Sequence, residues 1–255
     1  MILTDTHTHL YSKEFDKDRE ETIQKAVNHN VKRFFIPAID STHTASMYIL
    51  EKAFPGNIFL MMGLHPTSVK ENFEQELGHV EEQFEKRDFY AVGETGIDLF
   101  WDKSFLKQQQ EAFRFQIRLA KRKKLPIVIH CRDAFDEIFE VLEAEKGPDL
   151  YGIFHCFTGD YEQAQTAISY NMKLGIGGVV TFKNGGLDKF LDKIPIENIV
   201  LETDSPYLAP VPYRGKRNES SYIEIIAQKI ADIYGLSLQN VAEITTQTSR
   251  NVFKV

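Results

Sequence analysis

Eight apolar runs recur along the chain, alternating with amphipathic stretches of helical period, and that alternation limits the folds open to it. The runs are ILTDTH (2–7), VKRFFIPA (31–38), IFLMMGL (58–64), FYAVGE (89–94), PIVIHC (126–131), GIFHCF (152–157), KLGIGG (173–178) and IVLETD (199–204). Between them lie helical patterns such as REETIQKAVNHN, FLKQQQEAFRFQIRLAKRKK and DAFDEIFEVLEAEK. Eight strands, each followed by a helix, predict an α/β fold of the TIM type, a (β/α)8 barrel with parallel strands. The last helical patterns, SSYIEIIAQKIADIYG and SLQNVAEITTQTSRNVF, would close the outer ring. A doubly wound open sheet is the alternative, but no G-x-G-x-x-G follows the first run. At 255 residues, with no linker, repeat or low-complexity segment, residues 1–255 are read as one barrel domain.

The formal net charge is −7. A protein holding nucleic acid mainly through counterion release would be basic. Any phosphate handled here must therefore meet local positive charge or bound metal ions. KRKK (121–124) and YRGKR (213–217) are the basic clusters, the first at a helix end where it complements the dipole. The apolar opening is only Met-Ile-Leu before Thr4 and Asp5, unlike a signal peptide. No run is long enough to span a bilayer. Cys131 and Cys156 make no disulfide framework. A cytoplasmic protein without membrane attachment is the expectation.

In such barrels the site forms where the strands end. The first run ends in His7 and His9, two residues apart and therefore on one face, about 7 Å apart along the chain. The third leads to His65, the fourth to Glu94, the fifth to His130, the sixth to His155 and the eighth to Asp204. Runs two and seven contribute no comparable residue. Each of these has an ordinary reading alone, as a hydrogen-bonded histidine or a turn aspartate. Together, five of the eight histidines, a glutamate and an aspartate converge at the predicted mouth. Burying them unpaired would be costly, and coordinating a metal removes that cost. His29, His43 and His79 fall in helical stretches and receive no role. Cys131 and Cys156 each follow a candidate ligand, so alternation turns them toward the core.

DTHTHL, GETGID, HCRDA, HCFTG, LETDSPYLAP and RGKRNE, in this order, resemble the TatD-like metal-dependent deoxyribonucleases, a branch of the amidohydrolase superfamily. The resemblance runs from residue 5 to SRNVF near the end. It implies two divalent metals at the barrel mouth, one held by His7, His9, Glu94 and Asp204. The second would be held by Glu94, His130 and His155, with Glu94 bridging. Two metals can polarise a phosphoryl oxygen and acidify water. Asp204 is then the expected general base, and Glu202, two residues earlier, tunes the site or contacts substrate. His65 and the forked donors of Arg132 are expected phosphate contacts. Arg214, Lys216 and Asn218 fall in the substrate-side loop. There the family tends to read Asn-Glu-Pro before a Tyr, whereas this chain reads NESSY (218–222).

The activity expected is a metal-dependent 3′-5′ exonuclease on single-stranded DNA. Hydrolysis of a carboxylic ester or amide, including removal of misattached D-amino acids from tRNA, is the alternative, because one barrel supports many hydrolyses. A binding protein with a vestigial site predicts a lost ligand, and all six are present. Phe100, Trp101 and Tyr207 lie just past strand ends, where they could stack on bases or simply pack loops. No direct-readout motif predicts sequence-specific cutting, and no obligate protein partner is evident. Histidine with carboxylate suits Zn²⁺, Mn²⁺, Fe²⁺ or Ni²⁺, whereas Mg²⁺ prefers oxygen ligands, so family activity with Mg²⁺ implies an exchangeable ion.

Overall fold

The computed structural model describes residues 1–255. The elements follow in the order β1 (Leu3–Asp5), α1 (Arg19–Asn28), β2 (Val31–Ile36), α2 (Thr44–Ala53), β3 (Ile58–Leu60), α3 (Phe73–Lys86), β4 (Val92–Asp98) and α4 (Leu106–Lys123). The second half continues with β5 (Ile127–Arg132), α5 (Phe135–Ala144), β6 (Gly152–Phe154), α6 (Tyr161–Ser169), β7 (Met172–Ile176), β8 (Ile199–Leu201), α7 (Ile223–Tyr234) and α8 (Leu238–Phe253). All strand pairs are parallel, in the orders β1-β2-β3 and β4-β5-β6-β7-β8. Two seams join these arcs. Met62 bridges Val92 on one side and Thr8 bridges Ser205 on the other, both in parallel sense. The amide of Tyr90 donates to Leu60 O and that of Thr6 to Leu201 O, extending each seam. The result is the expected barrel of eight parallel strands.

One expectation fails: β7 is not followed by an α-helix. Residues 178–198 instead form four short 3-10 turns. Two helices follow β8. The last, α8, does more than close the outer ring, because its end turns beneath the barrel. Phe253 stacks on Phe35 of β2 with ring centroids 3.7 Å apart. Most strands are shorter than the apolar runs, so His7 and His9 lie past the end of β1, whereas β4 runs four residues beyond Glu94.

The barrel interior is built in layers by two-residue alternation. Phe35, Met61, Ala91, Val128, Ile153 and Val200 form one buried layer, plugged from below by Val252 and Phe253. The next residue on the same face of each strand is Pro37, Gly63, Gly93, His130, His155 or Glu202. An apolar floor therefore lies directly beneath a polar layer. A larger core of 59 buried residues fills the space between strands and helices. In α4 the buried side is Ala112, Phe113, Gln116, Ile117, Leu119 and Ala120, the periodic stripe its sequence shows. That helix ends in a left-handed Lys124, φ 56°. Its basic residues meet nearby acids: Arg122 pairs with Glu81 at 2.6 Å and Lys123 with Glu85 at 3.0 Å. KRKK is thus a solvated helix terminus. No helix is long and apolar enough to cross a membrane.

Candidate metal centre

Glu94 lies at the centre of the polar layer, buried, with its two oxygens turned to different histidines. Oε2 is 3.0 Å from His7 Nε2 and 3.8 Å from His9 Nε2. Oε1 is 2.9 Å from His130 Nδ1, 3.3 Å from His65 Nε2 and 3.7 Å from His155 Nε2. Asp204 Oδ1 faces the first group, 3.5 Å from His9 Nε2, 4.0 Å from His7 Nε2 and 3.8 Å from His155 Nε2. Four overlapping sets have ligand atoms close enough for one ion each: His7, His9 and Glu94; His7, His155 and Asp204; His65, Glu94 and His130; and His155, Cys156 and Glu202.

The backbone explains how short strands hold these groups. Past β1 the chain bends at Thr6 and His7 yet keeps pairing with the segment after β8: His9 N donates to Ser205 O and Asp204 N to His7 O. His7 and His9 thus both turn to Glu94 Oε2. Asp204 has φ 56°, a left-handed conformation that aspartate tolerates better than most residues. Asp5 fixes the same junction. Its carboxylate accepts from Thr203 N at 2.9 Å and from Thr203 Oγ1 at 2.6 Å, and burial raises it to about 7.

A second ring of partners orients the imidazoles, as outer-shell groups do in metal sites. Tyr11 Oη lies 3.0 Å from His9 Nδ1 and donates to Pro37 O. Asp98 Oδ2 lies 2.9 Å from His130 Nε2. Glu202 Oε1 lies 2.9 Å from His155 Nδ1, too poorly aligned for a hydrogen bond, and accepts from Cys156 N at 2.7 Å. Tyr11 and Asp98 were missed from the sequence. Asp98 was legible by parity, because residues 94 and 98 share a face of β4, whereas Tyr11 lies in the turn after His9, where alternation no longer applies.

The electrostatics call for a cation. Burial opposes ionisation of Glu94, but the imidazoles of His7, His65 and His155 hold its carboxyl well below the usual range. Burial, helped by His155, lowers His7, favouring the neutral ligand form. Burial also works against a charged His155, yet the carboxylates of Glu202, Glu94 and Asp204 prevail and raise it to about 10. The three carboxylates favour positive charge at that point, which a proton or a divalent ion can supply. Both ring nitrogens of His7 and Oε2 of Glu94 are buried without a hydrogen-bond partner. Such orphaned atoms are costly by themselves and suit coordination. The donor set therefore fits a divalent metal.

The remaining predicted residues divide. His65 is not free to be only a phosphate contact, because its Nε2 points at Glu94 and His130. Glu202 is fully buried behind His155 and offers nothing to a substrate. Asn218 is fully buried too: its Nδ2 donates to Thr203 O and Tyr207 O, each at 2.7 Å. It clamps the loop carrying Asp204. Ser220, where the resembled family has proline, is buried with its hydroxyl 3.3 Å from Thr8 Oγ1. Arg132, Arg214 and Lys216 are exposed. Cys131 is half-buried against the core as expected. Cys156 is not a core thiol: β6 ends at Phe154, and a left-handed turn (φ 44°) brings the cysteine beside His155 and Glu202. His29, His43 and His79 contact Glu224, Asp40 and Thr44, outside the centre.

Residues 4–254 match the sequence profile of the TatD related DNase family. The chain is 39% identical, over the full length of both, to the metal-dependent hydrolase YabD of Bacillus subtilis. It is 30% identical to the 3′-5′ ssDNA/RNA exonuclease TatD of Pantoea vagans, covering 98% of this chain and 99% of that one. The crystal structure of the TatD homolog YJJV from Escherichia coli superposes with a TM-score of 0.93 at 26% identity, over 99% of this chain and 98% of that one.

Proposed function

The chain belongs to the TatD related DNase family of metal-dependent hydrolases, and on that premise we propose that it shortens single-stranded DNA from the 3′ end with two divalent ions. The observation that carries this reading is the divided carboxylate of Glu94, with one oxygen toward His7 and His9 and the other toward His130, His65 and His155. A carboxylate so placed suits a bridge between two ions. The exonuclease name of the Pantoea vagans relative supports the substrate class.

Divalent ions bound there supply Lewis acidity toward a phosphoryl group and acidify water. Asp204 is the base for that water. Burial opposes its charge, but His155 and His9 hold its carboxyl below the usual range, so it is ionised and ready to accept a proton. Tyr11, Asp98 and Glu202 hold the histidine rings in place. Arg132, exposed at the end of β5, binds a phosphate oxygen with its forked donors.

The test is release of nucleotides from 3′-labelled and 5′-labelled single-stranded DNA, metal-stripped and with Mg²⁺, Mn²⁺ or Zn²⁺ restored. Shortening from the 3′ end that needs metal and disappears in Glu94→Ala and Asp204→Asn is the expected result. Absence of cleavage with every ion, in protein that binds metal, refutes the nuclease reading and moves the search to aminoacyl esters and amides.

A further inference from the structure

Four arginines lie over aromatic rings. Arg87 covers Tyr48 and Phe89, and its fork is filled by Glu51 at 2.7 and 2.8 Å. Arg217 covers Phe15, and its fork is filled by Asp18 at 2.6 and 2.7 Å. The other two, Arg132 over Phe100 and Arg214 over Phe182, have no carboxylate partner. Arg132 is the better placed. It ends β5 two residues after His130, about 7 Å along the strand. Its guanidinium carbon stands 3.8 Å from the Phe100 ring centre and 5.3 Å from that of Trp101.

The two aromatics are built into position. Phe100 and Trp101 are perpendicular, centroids 4.9 Å apart, and 51% and 69% exposed. Asp98 Oδ1 accepts from Phe100 N at 3.0 Å and from Trp101 N at 3.2 Å, while its other oxygen touches His130. The loop is thus tied by one carboxylate to a ring of the metal centre. Beyond it, Asp102 is held by Lys70 at 3.0 Å. A ligand for this corner must bring an anion for the guanidinium and a flat π face for the exposed rings, beside a metal site. A nucleotide brings both.

We propose that Phe100, Trp101 and Arg132 form a subsite of the nuclease, in which the aromatic corner stacks on a base of the single strand and Arg132 takes an adjoining phosphate. The proposal rests on the nuclease reading above and adds where the strand is held. Recognition is by stacking and charge, so the subsite accepts any base.

The chain has one tryptophan, so its fluorescence reports this loop alone. The full-length protein in Mg²⁺ is titrated with a short phosphorothioate oligothymidylate, which resists hydrolysis, and with an abasic phosphorothioate strand of equal length. Saturable quenching by the first and not the second is expected. Trp101→Ala should raise KM for single-stranded DNA by about tenfold, with kcat moving less and Trp101→Phe recovering most of the loss. Equal response to both strands, or unchanged KM in Trp101→Ala while the wild type still shortens DNA, overturns the subsite and leaves the nuclease reading intact. No shortening of DNA or RNA by the wild type overturns that reading, and the subsite with it.

Discussion

Asp98 and His130 are in contact at 2.9 Å on the far side of the ring from Glu94, which lies 2.9 Å from the other ring nitrogen. His130 is thus held from both edges. Burial works against a charged Asp98, but the bond from His130 and the amides of Trp101 and Phe100 keep its carboxyl below the usual range. An ionised carboxylate fixes the tautomer of the ring and raises its basicity toward a metal. Asp98→Asn should therefore weaken metal binding about 10- to 100-fold, read by competition with a fluorescent chelator. An unchanged affinity would mean that the contact only braces the loop.

Strand β7 contributes room. A Cβ on Gly175 would stand 2.2 Å from Glu202 Oε2 and 3.2 Å from Phe154 O. The glycine thus leaves the volume that Glu202 needs to reach His155. Gly175→Ala should displace that carboxylate and lower turnover by about tenfold or more, measured at saturating substrate. Turnover equal to the wild type would show that Glu202 can relocate without consequence.

Much of this centre was legible because strand alternation is strict where one face is buried. His130 and His155 follow a two-residue step from interior Val128 and Ile153, and His7 and His9 are two residues apart past β1, whereas Glu94 is three residues beyond interior Ala91 and turns inward only because the β4 register shifts between Val92 and Thr95. What was not legible depends on departures from that rule. Cys156 was placed in the core by extending β6 through it, yet the strand stops at Phe154 and the backbone turns left-handed. Asn218 looked like a substrate contact because it sits in a polar loop. Only the fold shows that its amide is occupied by two carbonyls. The missing helix after β7 has the same origin: residues 178–198 are apolar enough to suggest periodicity, but Gly185, Gly186 and Pro195 break them into short turns.

The loop after β8 is tied to α1 by a bidentate pair, Arg217 to Asp18, at 2.6 and 2.7 Å. The hydrogen bonds from Arg217 hold the Asp18 carboxyl below its usual range. A depressed carboxylate contributes stability above its unfolded pKa and loses it as pH falls through the folded value. The pair is partly exposed, so its contribution is about 0.2–1 kcal/mol. Asp18→Asn should lower the thermal midpoint slightly at pH 7, and the gap from wild type should close as the solution is acidified below the carboxylate range. A gap that persists at low pH would trace the effect to lost packing.

Asn218 offers the sharpest test of whether the substrate-side loop is held or merely adjacent. Its Nδ2 serves Thr203 O and Tyr207 O, its Oδ1 accepts from Glu219 N at 2.9 Å, and its own amide donates to Pro206 O at 2.9 Å. The residues so gripped bracket Asp204. Asn218→Ala would leave two carbonyls without a donor in a buried setting, at a cost of about 1–3 kcal/mol. For a chain of this size that lowers the thermal midpoint by about 2–10 °C. Asn218→Asp should be at least as damaging, because it presents acceptors to acceptors. In both variants kcat should fall as Asp204 loses its position. A side chain that instead touched substrate would raise KM and leave the midpoint unchanged, and that pattern would return Asn218 to the binding surface.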